Sequence, residues 1–181
     1  MIFGGRMNRR YFLGLALSAV AMPALAAKKK KQARILSLHN LHTDEKIKLT
    51  YRIGDRYQRA ALHKLSHFLR DYRTEEVTVM DPRLYDLLFH INDRLGDPEG
   101  VFEIVCGYRC PATNAWLRRT TYGVAAHSLH MTGQAVDIRH RDASIRRIRN
   151  SALALRQGGV GYYPRSDFVH VDTGAVRHWS D

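Results

Sequence analysis

Ile47, Leu49, Tyr51 and Ile53 alternate with Lys48, Thr50 and Arg52, the period-2 pattern of a strand with one buried face. A second apolar run, Ile35 to Asn40, precedes it, and Thr43-Asp44-Glu45 between them reads as the turn of a β-hairpin. The period then changes. Tyr57, Ala61, Leu65, Phe68 and Tyr72 recur at helical spacing. Asp81-Pro82 opens a second helix, with Asp as N-cap and Pro in the first turn. Leu84, Leu87, Leu88, Ile91 and Leu95 form its apolar face and Gly96 ends it. From Val101 the elements shorten. Val101 to Cys106 is an apolar strand, and Pro111 starts a helix that stops near Tyr122-Gly123. Val124 to Thr132 is a loop and Gln134 to Arg139 a strand. Asp142 or Ser144 caps a helix carrying Ile145, Ile148, Ala152 and Leu155 on one face, and Gly158-Gly159 stops it. Val160 to Tyr163 and Phe168 to Asp172 are two more strands, joined by a Pro-containing turn. Helices and strands are interspersed without a regular βαβ rhythm. The expectation is an α+β fold, an antiparallel sheet with flanking helices in a single domain.

The chain has 181 residues, 45% apolar and 25% charged, which excludes a disordered protein or a small disulfide scaffold. Its N-terminus has a different grammar. Arg6, Arg9 and Arg10 are its only charges up to Ala27, an apolar stretch from Tyr11 to Ala21 follows, and Ala24-Leu25-Ala26 is a small-residue cleavage site. Residues 1–27 therefore read as an export signal. Arg9-Arg10-Tyr11-Phe12-Leu13 resembles the twin-arginine signal, which makes the twin-arginine export machinery a partner and the periplasm the destination. Met7, just ahead of the motif, is an alternative start. The apolar stretch is too short and too rich in Ala and Gly to read as a membrane span, so membrane contact is expected only through the signal.

Lys28 to Lys31 belong to a basic linker, 28–33, ahead of a domain at 34–181. Net charge is +12, with 29 Lys+Arg against 17 Asp+Glu. That balance favours anionic surfaces such as cell wall. No aromatic-interleaved basic stripe or nucleic-acid motif is present, so no nucleic-acid partner is expected. Cys106 and Cys110 are the only cysteines. An exported pair can form a disulfide or remain two buried thiols. One C-x3-C pair falls short of a zinc site.

The chemistry gathers around two strands. Val136 and Ile138 share one face, and Ala135 and Asp137 the other. Val169 and Val171 oppose His170 and Asp172 in the same way. If these strands are neighbours, Asp137 and His170 meet on one surface, and a loop turning back at Gly133 brings His130 beside them. Two imidazoles and a carboxylate leave a fourth position open, as catalytic zinc requires. With 10 His in the chain, spacing alone favours histidines that are merely hydrogen-bonded over a metal site.

The motifs carry further. Ser128-Leu129-His130-Met131-Thr132-Gly133-Gln134-Ala135-Val136-Asp137 matches S-x-H-x-x-G-x-A-x-D, the first zinc motif of the D-alanyl-D-alanine peptidase group with the Hedgehog/DD-peptidase fold. Cys106-Gly107-Tyr108-Arg109 resembles the group's S-G-Y-R, with Cys at its small position. Phe168-Val169-His170-Val171-Asp172 resembles its last zinc-ligand strand. Gly158 to Arg165 and the opening Arg34 to Asn40 extend the likeness. Nearly all of the chain after the signal resembles the YcbK-like periplasmic murein endopeptidases.

That resemblance implies zinc held by His130, Asp137 and His170, and peptidoglycan peptide stems as substrate. It implies Asp167, three residues before the last ligand, as the base that takes a proton from the attacking water. Arg109 binds a substrate carbonyl or carboxylate and stabilises the oxyanion. His127 is a proton donor or substrate contact, or a plain loop histidine. Ser128 supports the His130 loop, and Asp172 orients a ligand imidazole or caps the next turn. Some related peptidases use a His two places before the last ligand; Phe168 stands there, which excludes that version. The expected activity is zinc-dependent hydrolysis of peptide cross-links by a monomer. The alternatives are a D-alanyl-D-alanine carboxypeptidase and a zinc-bearing wall-binding protein with weak or no catalysis.

Overall fold

The computed structural model describes residues 1, 32–121 and 123–181. The expected signal peptide beyond Met1 and the Lys28–Lys31 part of the linker lie outside the described residues. Strands β1 (Ala33–Asn40) and β2 (Lys46–Ile53) form the expected antiparallel hairpin. A two-residue β3 (Arg56–Tyr57) pairs with β2, and α1 (Arg59–Phe68) and α2 (Pro82–Leu95) follow. Next come β4 (Val101–Cys106), α3 (Pro111–Thr120), a 3-10 helix (Leu129–Thr132) and β5 (Ala135–His140). The chain closes with α4 (Ile145–Leu155), β6 (Gly159–Tyr163), β7 (Phe168–Asp172) and β8 (Arg177–Ser180). Among the described residues no helix is long and apolar enough to cross a membrane.

All eight strands join one sheet in the order β3-β2-β1-β4-β5-β7-β6-β8. The sheet is mixed, which corrects the antiparallel expectation. β1 runs parallel to β4, and β6 parallel to β8. Alternation of apolar residues is the same for either direction. Direction follows from the connection, and the two helices between β1 and β4 provide a crossover long enough for a parallel pair.

One face of the sheet meets the helices. Leu36, Leu38, Phe102, Ile104, Val136, Ile138, Val169 and Val171 are buried there against Leu65 of α1, Leu84, Leu88 and Ile91 of α2, and Ile148 and Ala152 of α4. Each such side chain contributes about 1.5–3 kcal/mol relative to exposure. Asp81 caps α2 by accepting from the Arg83 N–H at 2.9 Å, with Pro82 in the first turn, as the sequence predicts.

Two helix boundaries differ from expectation. Tyr57 belongs to β3 because its hydroxyl is drawn to Asp86, donating at 2.5 Å. Tyr72 leaves the helical face to stack on His42, with centroids 3.8 Å apart. At the other end, α4 stops at Leu155, before the expected glycines, because Arg156 takes a left-handed conformation (φ 53°). Asp86 is itself a structural hub. It accepts from Arg34 at 2.7 Å, Arg52 at 2.5 Å and Tyr51 at 2.8 Å, tying the hairpin to α2.

Candidate metal centre

β5 and β7 are neighbours, with Asp137 opposite His170. Val136, Ile138, Val169 and Val171 enter the core, so the odd residues of β5 and the even residues of β7 face away from the helices. His130 arrives from the 3-10 helix. Ser128 caps that helix, its Oγ accepting from the His130 N–H at 3.3 Å. Gly133 ends it at φ 68°, where a Cβ would lie 2.6 Å from the Val79 carbonyl oxygen. Only glycine combines that conformation with that contact, and the turn it makes carries the chain from His130 into β5.

Three atoms converge. His130 Nε2 lies 3.1 Å from His170 Nδ1 and 3.2 Å from Asp137 Oδ1, and His170 Nδ1 lies 2.8 Å from Asp137 Oδ1. The far nitrogen of each ring is occupied. His130 Nδ1 donates to the Gly107 carbonyl at 2.7 Å, and His170 Nε2 donates to Asp172 Oδ2 at 3.1 Å. These bonds place the proton on the outer nitrogen and turn the lone pair of each ring inward. Two lone pairs and a carboxylate oxygen within 3.2 Å repel unless a cation lies among them. Tetrahedral ligands about 2.0–2.1 Å from a metal ion are themselves roughly 3.3 Å apart. The donor set therefore fits a divalent metal.

The electrostatics show the same demand for positive charge at this point, which a proton on His130 meets when no ion is bound. Burial, the largest single influence on His130, disfavours its charged form, yet the Asp137 carboxylate and Cys106 outweigh it and push the imidazole up to about 10. Burial would raise Asp137, but His130 and His170 hold it well below the usual carboxylate range. Asp172 is fully buried. Burial opposes its charge too, and hydrogen bonds from His170, Arg177, Gly159 and Gly174 overcome that and keep it low. It thus both orients His170 and holds the turn after β7, accepting from the Gly174 N–H at 2.8 Å.

The cluster opens into a cavity of about 830 Å³ whose walls include Arg109, His127, Ser128, His130, Asp137 and His170. Arg109 is buried, its backbone N–H donates to the His130 carbonyl at 3.2 Å, and its Nε has no hydrogen-bond partner among the described residues. His127 is exposed on the wall. Asp167 is not brought to the cluster, contrary to the expectation of a base there. It sits in the β6–β7 turn at φ 55°, a conformation Asp tolerates, with its carboxylate 3.4 Å from Arg139 Nε and largely exposed. Arg139 also takes the Asp167 carbonyl at 2.5 Å, which fixes the turn.

Several participants escape sequence reasoning. Arg177 clamps Asp172 with Nη2 at 2.7 Å and Nη1 at 3.1 Å. Trp179 of β8 leans across the sheet to within 5.3 Å of the His170 ring. Gly161, between them in the sheet, makes this possible, since a Cβ there would lie 2.6 Å from the indole. The stacked pair His42 and Tyr72 also lines the cavity. The ligand motifs do not name these roles: Arg177 and Trp179 follow the last motif strand, Gly161 acts only as a space, and His42 and Tyr72 lie in distant segments. Cys106 and Cys110 are both free thiols, which settles the open pairing; Cys110 caps α3, its sulfur accepting from the Thr113 N–H at 3.4 Å. A second acid–histidine group, Asp97, His140 and Asp142, lies at the other end of β5. There the Asp142 N–H donates to His140 Nδ1 at 3.1 Å, so Nε2 carries the hydrogen; it lies 3.9 Å from Asp97 Oδ2, beyond hydrogen-bond distance.

A family model described as "Peptidoglycan L,D-endopeptidase MepK" matches residues 28–179. The peptidoglycan L,D-endopeptidase MepK of Escherichia coli (strain K12) is 45% identical across 95% of this chain and 97% of that protein. The probable peptidoglycan L,D-endopeptidase MepK of Haemophilus influenzae is 40% identical across 95% of each chain. No solved structure matches. With a match over most of its length, a converging donor set and an arginine-lined cavity, the chain belongs to the peptidoglycan L,D-endopeptidase MepK family of metal-dependent peptidases.

Proposed function

We propose that this protein is an exported zinc peptidase that hydrolyses peptide cross-links in peptidoglycan. One observation carries the reading: His130 Nε2, Asp137 Oδ1 and His170 Nδ1 lie within 3.2 Å of one another, each ring turned by a bond to its outer nitrogen. Two nitrogens and one oxygen suit zinc and leave room for water or substrate. Bound there, zinc supplies a Lewis acid that polarises the scissile carbonyl and lowers the pKa of water toward about 7.

The chain's own groups do the rest. His130, Asp137 and His170 hold the ion, while the Gly107 carbonyl and Asp172 keep the rings in register. Arg109, desolvated and with an Nε–H unpaired among the described residues, binds the substrate carbonyl or a stem carboxylate and stabilises the developing oxyanion. Arg73 and Arg165 also line the cavity and suit a substrate with several carboxylates. His127, the exposed imidazole of the wall, contacts the substrate beside the reacting centre. The Hedgehog/DD-peptidase fold is supported by the motif order and by the mixed sheet that carries the donors.

The relatives' L,D designation supports an amide joining an L-centre to a D-centre as the bond cut, rather than one between two D-centres. Residues 1–27 direct export by the twin-arginine route to the periplasm, 28–33 form a basic linker and 34–181 the peptidase domain. The test is a set of purified stem-peptide dimers, one L,D-linked and one D,D-linked, with a linear stem ending in D-Ala-D-Ala. Zinc-loaded protein should add one water to the L,D dimer, read by mass. Cleavage of the linear stem alone would make it a carboxypeptidase. Binding of all three without product would make it a wall-binding protein.

A further inference from the structure

A ladder of stacked side chains lines the cavity beside the metal centre. The register of β4 against β5 shifts between Ile104 and Cys106, so Cys106 turns from the core face to the cavity and stands opposite Asp137. His42 is fastened to the same strand end, its Nε2 donating to the Val105 carbonyl at 2.9 Å. That bond ties His42 to the strand next to the one that carries Asp137. The Tyr72 ring lies flat on His42, with centroids 3.8 Å apart and planes 11° from parallel. The Arg73 guanidinium follows, 4.2 Å from the centre of the Tyr72 ring and 5.5 Å from that of Trp116.

The ladder is anchored from behind. Asp71 is buried, and its carboxylate accepts from the Arg73 N–H at 3.1 Å and the Cys110 N–H at 3.0 Å. Its carbonyl accepts from the Thr74 and Glu75 N–H groups at 3.2 and 2.8 Å, which closes a tight turn. Asn40 Oδ1 accepts from the His42 N–H at 2.9 Å. With both segments fixed, little conformational entropy remains to be lost when a ligand arrives. Arg73 is exposed in the cavity wall, and among the described residues no carboxylate pairs with its guanidinium. Glu75, two residues on, is taken by Arg70 at 2.6 Å. Stacking occupies the face of a guanidinium and leaves its in-plane N–H fork for a planar anion, a carboxylate above all. The other arginines of the cavity differ. Arg177 is committed to Asp172, Arg109 is buried beside His130, and among the described residues no ring holds Arg165.

The substrate class supplies such an anion. Where an amide joins the carbonyl of an L-centre to the nitrogen of a D-centre, the D-centre also carries its own carboxyl group, bonded to the same carbon as the reacting nitrogen. We infer that Arg73 is a specificity-determining residue that reads this carboxylate in its free, charged form. The inference rests on the endopeptidase reading above. Capping the carboxyl as an amide removes the charge and replaces one acceptor oxygen by a donor that faces the fork, which penalises that substrate. Tyr72 and His42 act by positioning Arg73.

The experiment uses two L,D-linked stem dimers that differ only at the D-centre, one with a free carboxyl and one with the carboxamide. Zinc-loaded wild type should favour the free form at least about tenfold in kcat/KM, through KM with kcat little changed. Arg73→Gln should abolish that ratio, cleaving both dimers as wild type cleaves the amide. Arg73→Lys, which keeps the charge without the planar fork, should restore part of it. Arg165→Gln should keep the ratio whatever its overall rate. Calorimetry of both dimers on metal-free protein should show the same preference and the same loss in Arg73→Gln. Equal cleavage of the two dimers by wild type, a ratio that survives Arg73→Gln, or a ratio lost only in Arg165→Gln overturns the inference and leaves the peptidase reading standing. Preferential, Arg73-dependent binding without any product would keep the inference and overturn the peptidase reading. Neither binding nor cleavage would overturn both.

Discussion

Asp172 has no exposed surface, yet five donors converge on it: His170, two from Arg177, and the Gly159 and Gly174 N–H groups. That arrangement explains how a charged group survives burial, and why His170 presents Nδ1 rather than Nε2 to the centre. Asp167, five residues earlier, is the opposite case. It is largely exposed and faces Arg139. The geometry predicts that Asp167→Asn keeps the metal and leaves turnover within about twofold, well short of the 10²–10⁴ lost with a general base. Steady-state kinetics beside metal analysis checks this. A fall of that size with metal retained would restore Asp167 as the base and require the β6–β7 turn to rearrange. At this scale the motif pattern located His130, Asp137 and His170 because strand parity and one glycine turn bring them together. It misplaced Asp167 because a count of three residues does not reveal a left-handed turn.

Among the elements, the hairpin β1–β2 is held to α2 through Asp86. Burial, the largest influence, works against its charge, and Tyr57, Tyr51, Arg34 and Arg52 together keep its pKa below the ordinary 3.8. A carboxylate lowered in the folded state stabilises the fold above its unfolded pKa, and that contribution disappears as pH falls through the folded value. Asp86→Asn should therefore cost about 2–4 kcal/mol near neutrality, leaving two arginines and two tyrosines underpaired. The gap between wild type and variant should close below about pH 4. Urea unfolding at several pH values measures it, and a gap independent of pH would contradict the account. Strand existence was legible here from period-2 patterning, and the α2 boundaries from Asp81, Pro82 and Gly96. Strand direction was not, since β1 and β4 read alike whether parallel or antiparallel. Neither was the shift at Ile104–Cys106: a bulge leaves the apolar pattern of β4 unbroken while reversing the face of its last residue. The short β3 and β8 carry too few residues to show a period at all.

Across the folded domain, helices α1, α2 and α4 cover one side of the sheet and leave the other free for the cavity, so Asp137 and His170 rest on strands and His130 on the short 3-10 helix that leads into β5. Function also requires delivery to the wall. Arg9 and Arg10 lie outside the described residues, and the expectation for them comes from the sequence alone. Replacing both with Lys should hold the precursor in the cytoplasm, read by fractionation and immunoblot. Normal delivery of the double-Lys form would refute the twin-arginine route without touching the enzyme.

The central claim is that His130, Asp137 and His170 together hold the metal that does the work. Native mass spectrometry of His170→Ala beside wild type tests it most directly, with circular dichroism showing both folded and the same samples given an L,D-linked dimer. The account predicts one zinc on the wild type, none at stoichiometric level on the variant because two donors hold zinc poorly, and no cleavage by the variant. A folded His170→Ala protein that keeps one zinc and full turnover would contradict it.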